Sequence, residues 1–277
     1  MGIIYAIDFE YDGTYLSDFG FIVCSINKGG GATVADAGSA ITLETVSMNK
    51  GTHFELTSAR YDKSLEAVFQ ICKDPEKYDK DGMEISRNEF RTISAWLNRK
   101  GFLPFRAVDQ DDIESDICYF NASFNLSKIQ IADKTYGIEL KMVTDSPFGY
   151  GQPFTQNLLF HNADESGTVF CIGDDYGFVY PDLSVTCLDD GDLYIACDLG
   201  RCDFKVENCT SGEVINVDGP RRIITTSSTT HDIANDFNYE FFRLGTNREE
   251  TTNTVTSKGI GCALSITYNP IIKDVPY

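Results

Sequence analysis

One stretch constrains the fold more than any other. Residues Ile85–Phe105, ISRNEFRTISAWLNRKGFLPF, are the one convincing amphipathic helix in a chain that otherwise reads as strands and turns. Ser86 is placed to cap its N-terminus, and Glu89, three residues on, to reach back to the Ser86 amide as a capping box. Phe90, Ile93, Trp96 and Leu97 recur at spacings of three and four, which puts them on one face. Arg87, Arg91 and Arg99 lie off that stripe, and Lys100-Gly101 supplies a basic last turn and a stop. The helix carries the single tryptophan of the sequence. With one apolar stripe it needs a sheet to cover, so Trp96 and, just beyond it, Phe102 are expected in the core.

At 277 residues the chain suits two domains. Its 14 Tyr and 19 Phe favour strands. No apolar run approaches the length of a membrane span, and no basic start leads into an apolar segment, so a soluble protein without an export signal is expected. The 23 basic against 42 acidic residues leave a net charge of −19. A surface of that sign repels a phosphate backbone and argues against reading nucleic acid, though not against nucleic acid sliding past. Nine cysteines, at 24, 72, 118, 171, 187, 197, 202, 209 and 262, form no CxxC and lie mostly in apolar strand-like runs. Reduced core thiols are expected rather than a disulfide framework or a zinc site, and the spacing of Cys197, Cys202 and Cys209 fits no common zinc pattern.

Read in order, Ile3–Phe9 and Phe19–Ile26 are strands on either side of the Asp12-Gly13 turn. The Gly29-Gly30-Gly31 run lacks a following Lys-Ser/Thr and a helix, so it reads as a loop and not a phosphate cradle. Ala40–Met48 and Thr52–Arg60 suggest a hairpin or extended arm about Asn49-Lys50-Gly51. Leu65–Cys72 fits either a helix or a strand, and its length and context favour the strand. Phe102–Val108 is a strand, and Ile117–Leu126 and Thr135–Val143 form a long antiparallel pair joined by a polar connector. The Gly- and Pro-rich Ser146–Pro153 then marks a domain boundary, dividing the chain into residues 1–150 and 151–277. Beyond it no helical pattern survives. Ten short strand candidates follow: Leu158–His161, Thr168–Ile172, Leu183–Leu188, Leu193–Asp198, Phe204–Glu207, Val214–Val217, Arg222–Thr226, Tyr239–Leu244, Thr252–Ser257 and Ala263–Tyr268. Turn pairs such as Asp190-Gly191 and Ser211-Gly212 separate them, the spacing of a β-sandwich.

Catalytic chemistry finds no footing in the motifs. The segment Asp79–Phe90 echoes a calcium-binding EF-hand, but in neither register does glycine fall sixth with glutamate twelfth, so an acidic turn entering a capped helix is expected. Asp109, Asp111, Asp112, Glu114 and Asp116 lack a glycine turn to fold them round an ion, and read as a solvated loop. His53, His161 and His231 are far apart, with no candidate ligand beside any of them. GxSxG and HExxH are absent. The sequons at Asn121, Asn125 and Asn208 have no secretion signal to give them meaning. With 42 carboxylates, a pair at glycosidase spacing carries no weight. No catalytic, cofactor-binding or metal-binding residue is nominated, and no enzyme is expected.

Several segments, in order, resemble the siphophage distal tail protein family. Asp12–Gly20, DGTYLSDFG, resembles the strand–turn–strand that opens its N-terminal domain. Ile85–Arg99 is similar to its single helix, with a Trp-Leu pair followed by a basic residue. The strand pair closing on Thr144–Gly151, TDSPFGYG, resembles the end of its first domain. Asp192–Asp198, Phe241–Gly245 and Ser265–Pro270 are similar to its C-terminal galectin-like sandwich. The cysteine content and the acidic insertion Asp74–Asp81 depart from the pattern.

The resemblance implies a mainly β, two-domain protein. Its N-terminal β-sandwich or barrel-like domain would carry one helix and form a ring, and a C-terminal galectin-like β-sandwich would project outward. It implies a structural virion protein at the tip of a long non-contractile tail, assembled in the bacterial cytoplasm. Six copies would link the tail tube protein to a tail-associated or baseplate hub protein and leave a channel for DNA without binding it specifically. An arm within Asn27–Gly51 would close a neighbour's sheet edge. The alternative is a carbohydrate-binding module contacting host glycans through Tyr176, Phe178 and Tyr180. A virion glycan hydrolase ranks last, because no residue set supports it.

Overall fold

In the computed structural model, residues 6–26, 41–48, 51–108, 118–247 and 250–273 are described, and the helix forms over Arg87–Leu97 (α1). Ser86 Oγ accepts the Glu89 N–H at 3.3 Å and Glu89 Oε2 accepts the Ser86 N–H at 2.8 Å, completing the capping box. The helix ends earlier than Lys100-Gly101. Asn98 still donates its N–H to Ser94 O at 2.9 Å but leaves the helical region at φ −85°, ψ 79°. Arg99 then turns away to the carboxylate of Asp12 at 2.7 Å.

The chain divides into two compact units, Met1–Gly151 with Lys273–Tyr277, and Gln152–Ile272. The first contains β1 (Asp8–Tyr11), β2 (Thr14–Tyr15), β3 (Phe21–Cys24), β4 (Ile41–Met48), β5 (His53–Tyr61), β6 (Glu66–Lys73), β7 (Leu103–Val108), β8 (Phe120–Ile131), β9 (Lys134–Thr144) and β10 (Gly149–Tyr150). Seven of these make one sheet in the order β2-β1-β7-β8-β9-β6-β3. It curls far enough for the Val23 N–H to reach Ile7 O at 3.2 Å, barrel-like but open. The Leu65–Cys72 stretch resolves as a strand because its two-residue alternation turns Ala67, Phe69 and Ile71 inward.

The core is aromatic. Trp96 lies parallel to Phe9 with centroids 5.6 Å apart and meets Phe19 at 4.7 Å. Its indole N–H donates to Tyr11 O at 3.2 Å, so the buried polar edge is satisfied. Phe69, Phe105 and Phe124 surround Phe9. Phe102, expected here, is 49% exposed. It follows the Gly101 turn, at φ 125°, and precedes the first residue of β7. The connector between β8 and β9 is shorter than the sequence suggests. Ala132 and Asp133, at φ 50° and 65°, make a two-residue turn, and the strands run up to it on both sides.

Lys73 joins helix to sheet. Its side chain is buried at the end of β6, and Nζ donates to the carbonyls of Gly82 and Glu84, each at 2.9 Å. It also pairs with Glu89 Oε1 at 2.8 Å. The segment read as an EF-hand echo is therefore a short 3₁₀ turn, Lys80–Gly82, folded onto Lys73 ahead of the capped helix.

The second unit holds β11 (Phe154–Phe160), β12 (Ser166–Cys171), β13 (Tyr176–Val179), β14 (Asp182–Cys187), β15 (Gly191–Cys197), β16 (Cys202–Cys209), β17 (Val214–Asp218), β18 (Ile223–Thr226), a one-turn helix α2 (Ile233–Asp236), β19 (Leu244–Asn247), β20 (Thr251–Ser257), β21 (Cys262–Tyr268) and β22 (Ile271–Ile272). The sheets β11-β21-β14-β17-β18 and β12-β20-β15-β16 bury alternate residues in one shared core, among them Val185, Leu264, Ile195 and Phe204. That is a β-sandwich. The Tyr239–Leu244 strand does not form: Tyr239 takes φ 59°, which breaks an extended run, and pairing begins at Leu244. α2 and β13 had no sequence signal, being four residues each. All nine cysteines are free thiols, six of them buried.

Burial works against the Glu89 charge, but the hydrogen bonds from Lys73 and Ser86 outweigh it and hold the carboxyl below its usual range. A depressed acid contributes stability that is present above its unfolded value of about 4.3 and lost as pH falls through the folded one. Denaturant titrations read by Trp96 fluorescence should therefore show the first unit weakening between about pH 5 and pH 3. In Glu89→Gln that acid-induced loss should be smaller.

Candidate assembly surface

β4 and β5 pair only with each other, as a two-stranded ribbon. Their register places Ile41 opposite Tyr61, Leu43 opposite Ala59, Thr45 opposite Leu56 and Ser47 opposite Phe54. Directly opposed residues share a face, so these eight form one side of the ribbon. The other side carries Thr42 with Arg60, Glu44 with Ser58, Val46 with Glu55 and Met48 with His53. There Arg60 pairs with Glu44 at 3.2 Å. One side is thus apolar and the other mixed. A bulge opposite the Glu44–Thr45 step leaves Thr57 without a partner across the ladder, and its hydroxyl donates to Glu44 O at 3.0 Å. That extra residue lets the alternation continue on the same faces.

Apart from Tyr61, which meets the Phe148 ring edge-on at 4.7 Å, the apolar side is uncovered. Phe54 is 61% exposed, Leu43 60%, Leu56 55% and Ile41 52%. A lone hairpin is marginal in water, and a contiguous apolar face of this kind marks a contact surface. The hairpin expected over Ala40–Met48 and Thr52–Arg60 forms as β4 and β5; of the arm expected within Asn27–Gly51, residues 27–40 and 49–50 lie outside the described part, as does the acidic run 109–116.

The histidines separate into different settings. His53 starts β5 in the open, and His161 lies in an exposed turn where its N–H donates to Glu165 at 2.7 Å. His231 has partners the sequence did not reveal. Its side chain is almost fully buried, with Nδ1 2.6 Å from Glu213 Oε1 and Nε2 3.2 Å from Asp236 Oδ2. The Asp236 approach is out of line for a hydrogen bond. Glu213 also accepts the Thr210 N–H at 2.9 Å and the hydroxyls of Thr210 and Thr226. Cys209, Glu213 and His231 bring ligand-type atoms within 4.8 Å of one another, the one such group among the described residues. A metal there would have to displace four hydrogen bonds from a carboxylate they already satisfy. The trio Cys197, Cys202 and Cys209 does not act together. Cys197 and Cys202 face each other across β15 and β16, whereas Cys209 meets Cys187.

Comparison with known proteins decides the family. Residues 4–146 match the family model described as a phage tail protein N-terminal domain, and residues 148–268 match the phage tail C-terminal domain. This chain belongs to the phage tail proteins. A search of curated proteins finds no match. Among solved structures the fold is similar to that of SPP1 Dit (gp 19.1), which is described as a paradigm of the hub adsorption apparatus in phages infecting Gram-positive hosts. The TM-score is 0.65 and the identity 13%, over 95% of this chain and 98% of that one. The tail protein therefore has a Dit-like, two-domain β fold and a structural place in the virion. No helix among its described residues is long and apolar enough to cross a membrane.

In this tail protein the Glu213–His231 pair ties the Thr210–Glu213 turn to β18 and to the segment leading into α2. Burial opposes the His231 charge, but the hydrogen bond and charge of Glu213 prevail and raise the imidazole above its usual pKa. A raised base contributes stability that is full below its unfolded value of about 6.5 and lost as pH rises through the folded one. Hydrogen exchange at the β17 amides should accelerate as pH climbs above about 6.5, beyond the intrinsic pH dependence of exchange. His231→Gln should abolish that excess.

Proposed function

We propose that the protein is a distal tail protein, six copies of which form a ring at the end of a long non-contractile tail. In this reading the ring joins the tail tube protein to a tail-associated or baseplate hub protein, and DNA leaves through its hole. The first unit builds the ring and the second, a galectin-like sandwich, projects from it. Assembly takes place in the host cytoplasm, and the finished ring sits at the tail tip.

The observation that carries the proposal is the uncovered apolar side of the β4–β5 ribbon. A second copy is its natural occupant, because a ring offers each ribbon an identical neighbour and leaves none over. Covering the exposed part of Leu43, Phe54, Leu56 and Ile41 is worth roughly 1–2 kcal/mol each. The charge of −19 suits a channel: acidic walls keep a polyanion from adhering as it passes.

A second reading has a specific observation behind it. Tyr176 and Phe178 lie on the same side of β13, 61% and 45% exposed, an aromatic row on which a sugar ring would stack. The Arg243 guanidinium already sits 4.5 Å from the centre of the Phe178 ring and occupies one of its faces, so glycan binding ranks below ring formation. Binding of cell-wall glycans that Tyr176→Ala abolishes would establish it.

The decisive measurement is the mass of the protein in solution by light scattering, with negative-stain imaging. A hexamer or double hexamer with a central hole is expected. Leu43→Asp with Phe54→Asp should weaken each contact by about 100-fold and leave monomers with an unchanged circular dichroism spectrum. A ring that survives both changes would overturn the ribbon as its contact.

A further inference from the structure

β15 and β16 end on two cysteines that lie directly opposite each other. Cys197 pairs with Cys202 across the ladder, and the turn Asp198–Arg201 joins them. Directly opposed residues of an antiparallel pair have Cα atoms about 4.5 or 5.5 Å apart, within the range a disulfide spans. Both side chains point into the sandwich and are 4% exposed. The two thiols are close enough to influence each other's ionisation.

Their surroundings make them unequal. The Arg243 N–H donates to Cys202 Sγ at 3.4 Å, and Arg243 Nε donates to Gly200 O at 2.6 Å, which holds the guanidinium beside the turn. As a neutral thiol, Cys202 would instead donate to Arg243 O at 3.4 Å. Cys197 donates to Asn253 Oδ1 at 3.5 Å. The neighbouring Cys197 thiol, helped by Arg243 and opposed by burial, lowers the Cys202 pKa below the ordinary thiol value, and the same contact raises Cys197.

We propose that Cys197 and Cys202 are a redox-active dithiol that hydrogen peroxide converts to a cross-strand disulfide. The Cys202 thiolate attacks one peroxide oxygen, the O–O bond breaks, and hydroxide leaves as Cys202 becomes a sulfenic acid. Cys197 Sγ then attacks Cys202 Sγ, the S–O bond breaks, and the departing hydroxyl takes the Cys197 proton as water. The peroxide is reduced by two electrons and the dithiol oxidised by two. On the function proposed above, the protein is assembled in a reducing cytoplasm and released in a virion, so it meets such an oxidant only after assembly.

The other thiol contacts lack one or more of these features. Cys24 lies opposite Gln70 and Cys72 opposite Ile22, so this hydrogen-bonded pair is diagonal, with Cα atoms about 7–8 Å apart, beyond disulfide reach. Cys187 and Cys262 are directly opposed, but the thiol coupled to Cys187 is Cys209, and burial alone pushes Cys262 up to about 11.

The test is hydrogen peroxide treatment of the whole protein, followed by intact mass and non-reducing peptide mapping. A loss of about 2 Da, mapped to a Cys197–Cys202 bridge, is expected. Cys202→Ser should abolish the loss, and Cys197→Ser should leave a Cys202 sulfenic acid that dimedone captures. Circular dichroism of both variants separates lost chemistry from lost fold. Three results would overturn the proposal: both cysteines still open to alkylation under denaturing conditions, a bridge elsewhere in their place, or Cys202 driven to sulfinic acid without a bridge in the unmodified protein.

Discussion

An ammonium group inside a small β domain has to be fully engaged, because leaving it without partners costs several kcal/mol. Lys73 meets that requirement with two carbonyls of the turn that precedes α1 and with Glu89. Glu89 in turn holds the Ser86 amide. One buried cation therefore sets where the helix begins and at what height it meets the sheet. From that point the stripe of Ile93, Trp96 and Leu97 falls over β1, and Trp96 closes the aromatic cluster round Phe9. The seven-stranded sheet can curl because its concave face is filled by this cluster and covered by the helix.

The second unit pairs its own buried charge, Glu213, with His231. Its sandwich is packed by alternating aliphatic, aromatic and cysteine side chains from two sheets. Polar ties appear at its ends. Glu213 and His231 fix the turn after β16 to the segment beyond β18, and Arg243 fixes the turn between β15 and β16. These ties order the loops, while within the sheets Asn253 of β20 is fully buried and holds the Gly245 N–H and carbonyl. The first unit instead leaves the apolar side of the β4–β5 ribbon exposed.

Features set by neighbours within four residues were legible. The capping box, the helix stripe and the two-residue alternation of β6 all follow from local geometry. Where a single backbone angle intervened, the pattern misled: Asn98 ended α1 early, Tyr239 at positive φ abolished a strand, and Gly101 turned Phe102 outward. Segments of four residues, such as β13 and α2, are too short to carry a period. His231 seemed isolated because Glu213 is 18 residues away and only the fold closes that distance.

The sequence by itself determined the class of protein: a mainly β chain with one helix placed by its own caps, a two-part division at the Gly- and Pro-rich stretch, thiol-rich apolar strands and an acidic surface. These depend on composition and on spacings that repeat along the chain. Tertiary structure alone decided which residues meet. Register put Cys197 against Cys202 and gathered Ile41, Leu43, Leu56 and Phe54 on one side of a ribbon. It also left that side uncovered within the chain. Alternation in a strand states that one face is apolar, but whether that face lies in the core or on the outside depends on what the rest of the fold brings against it.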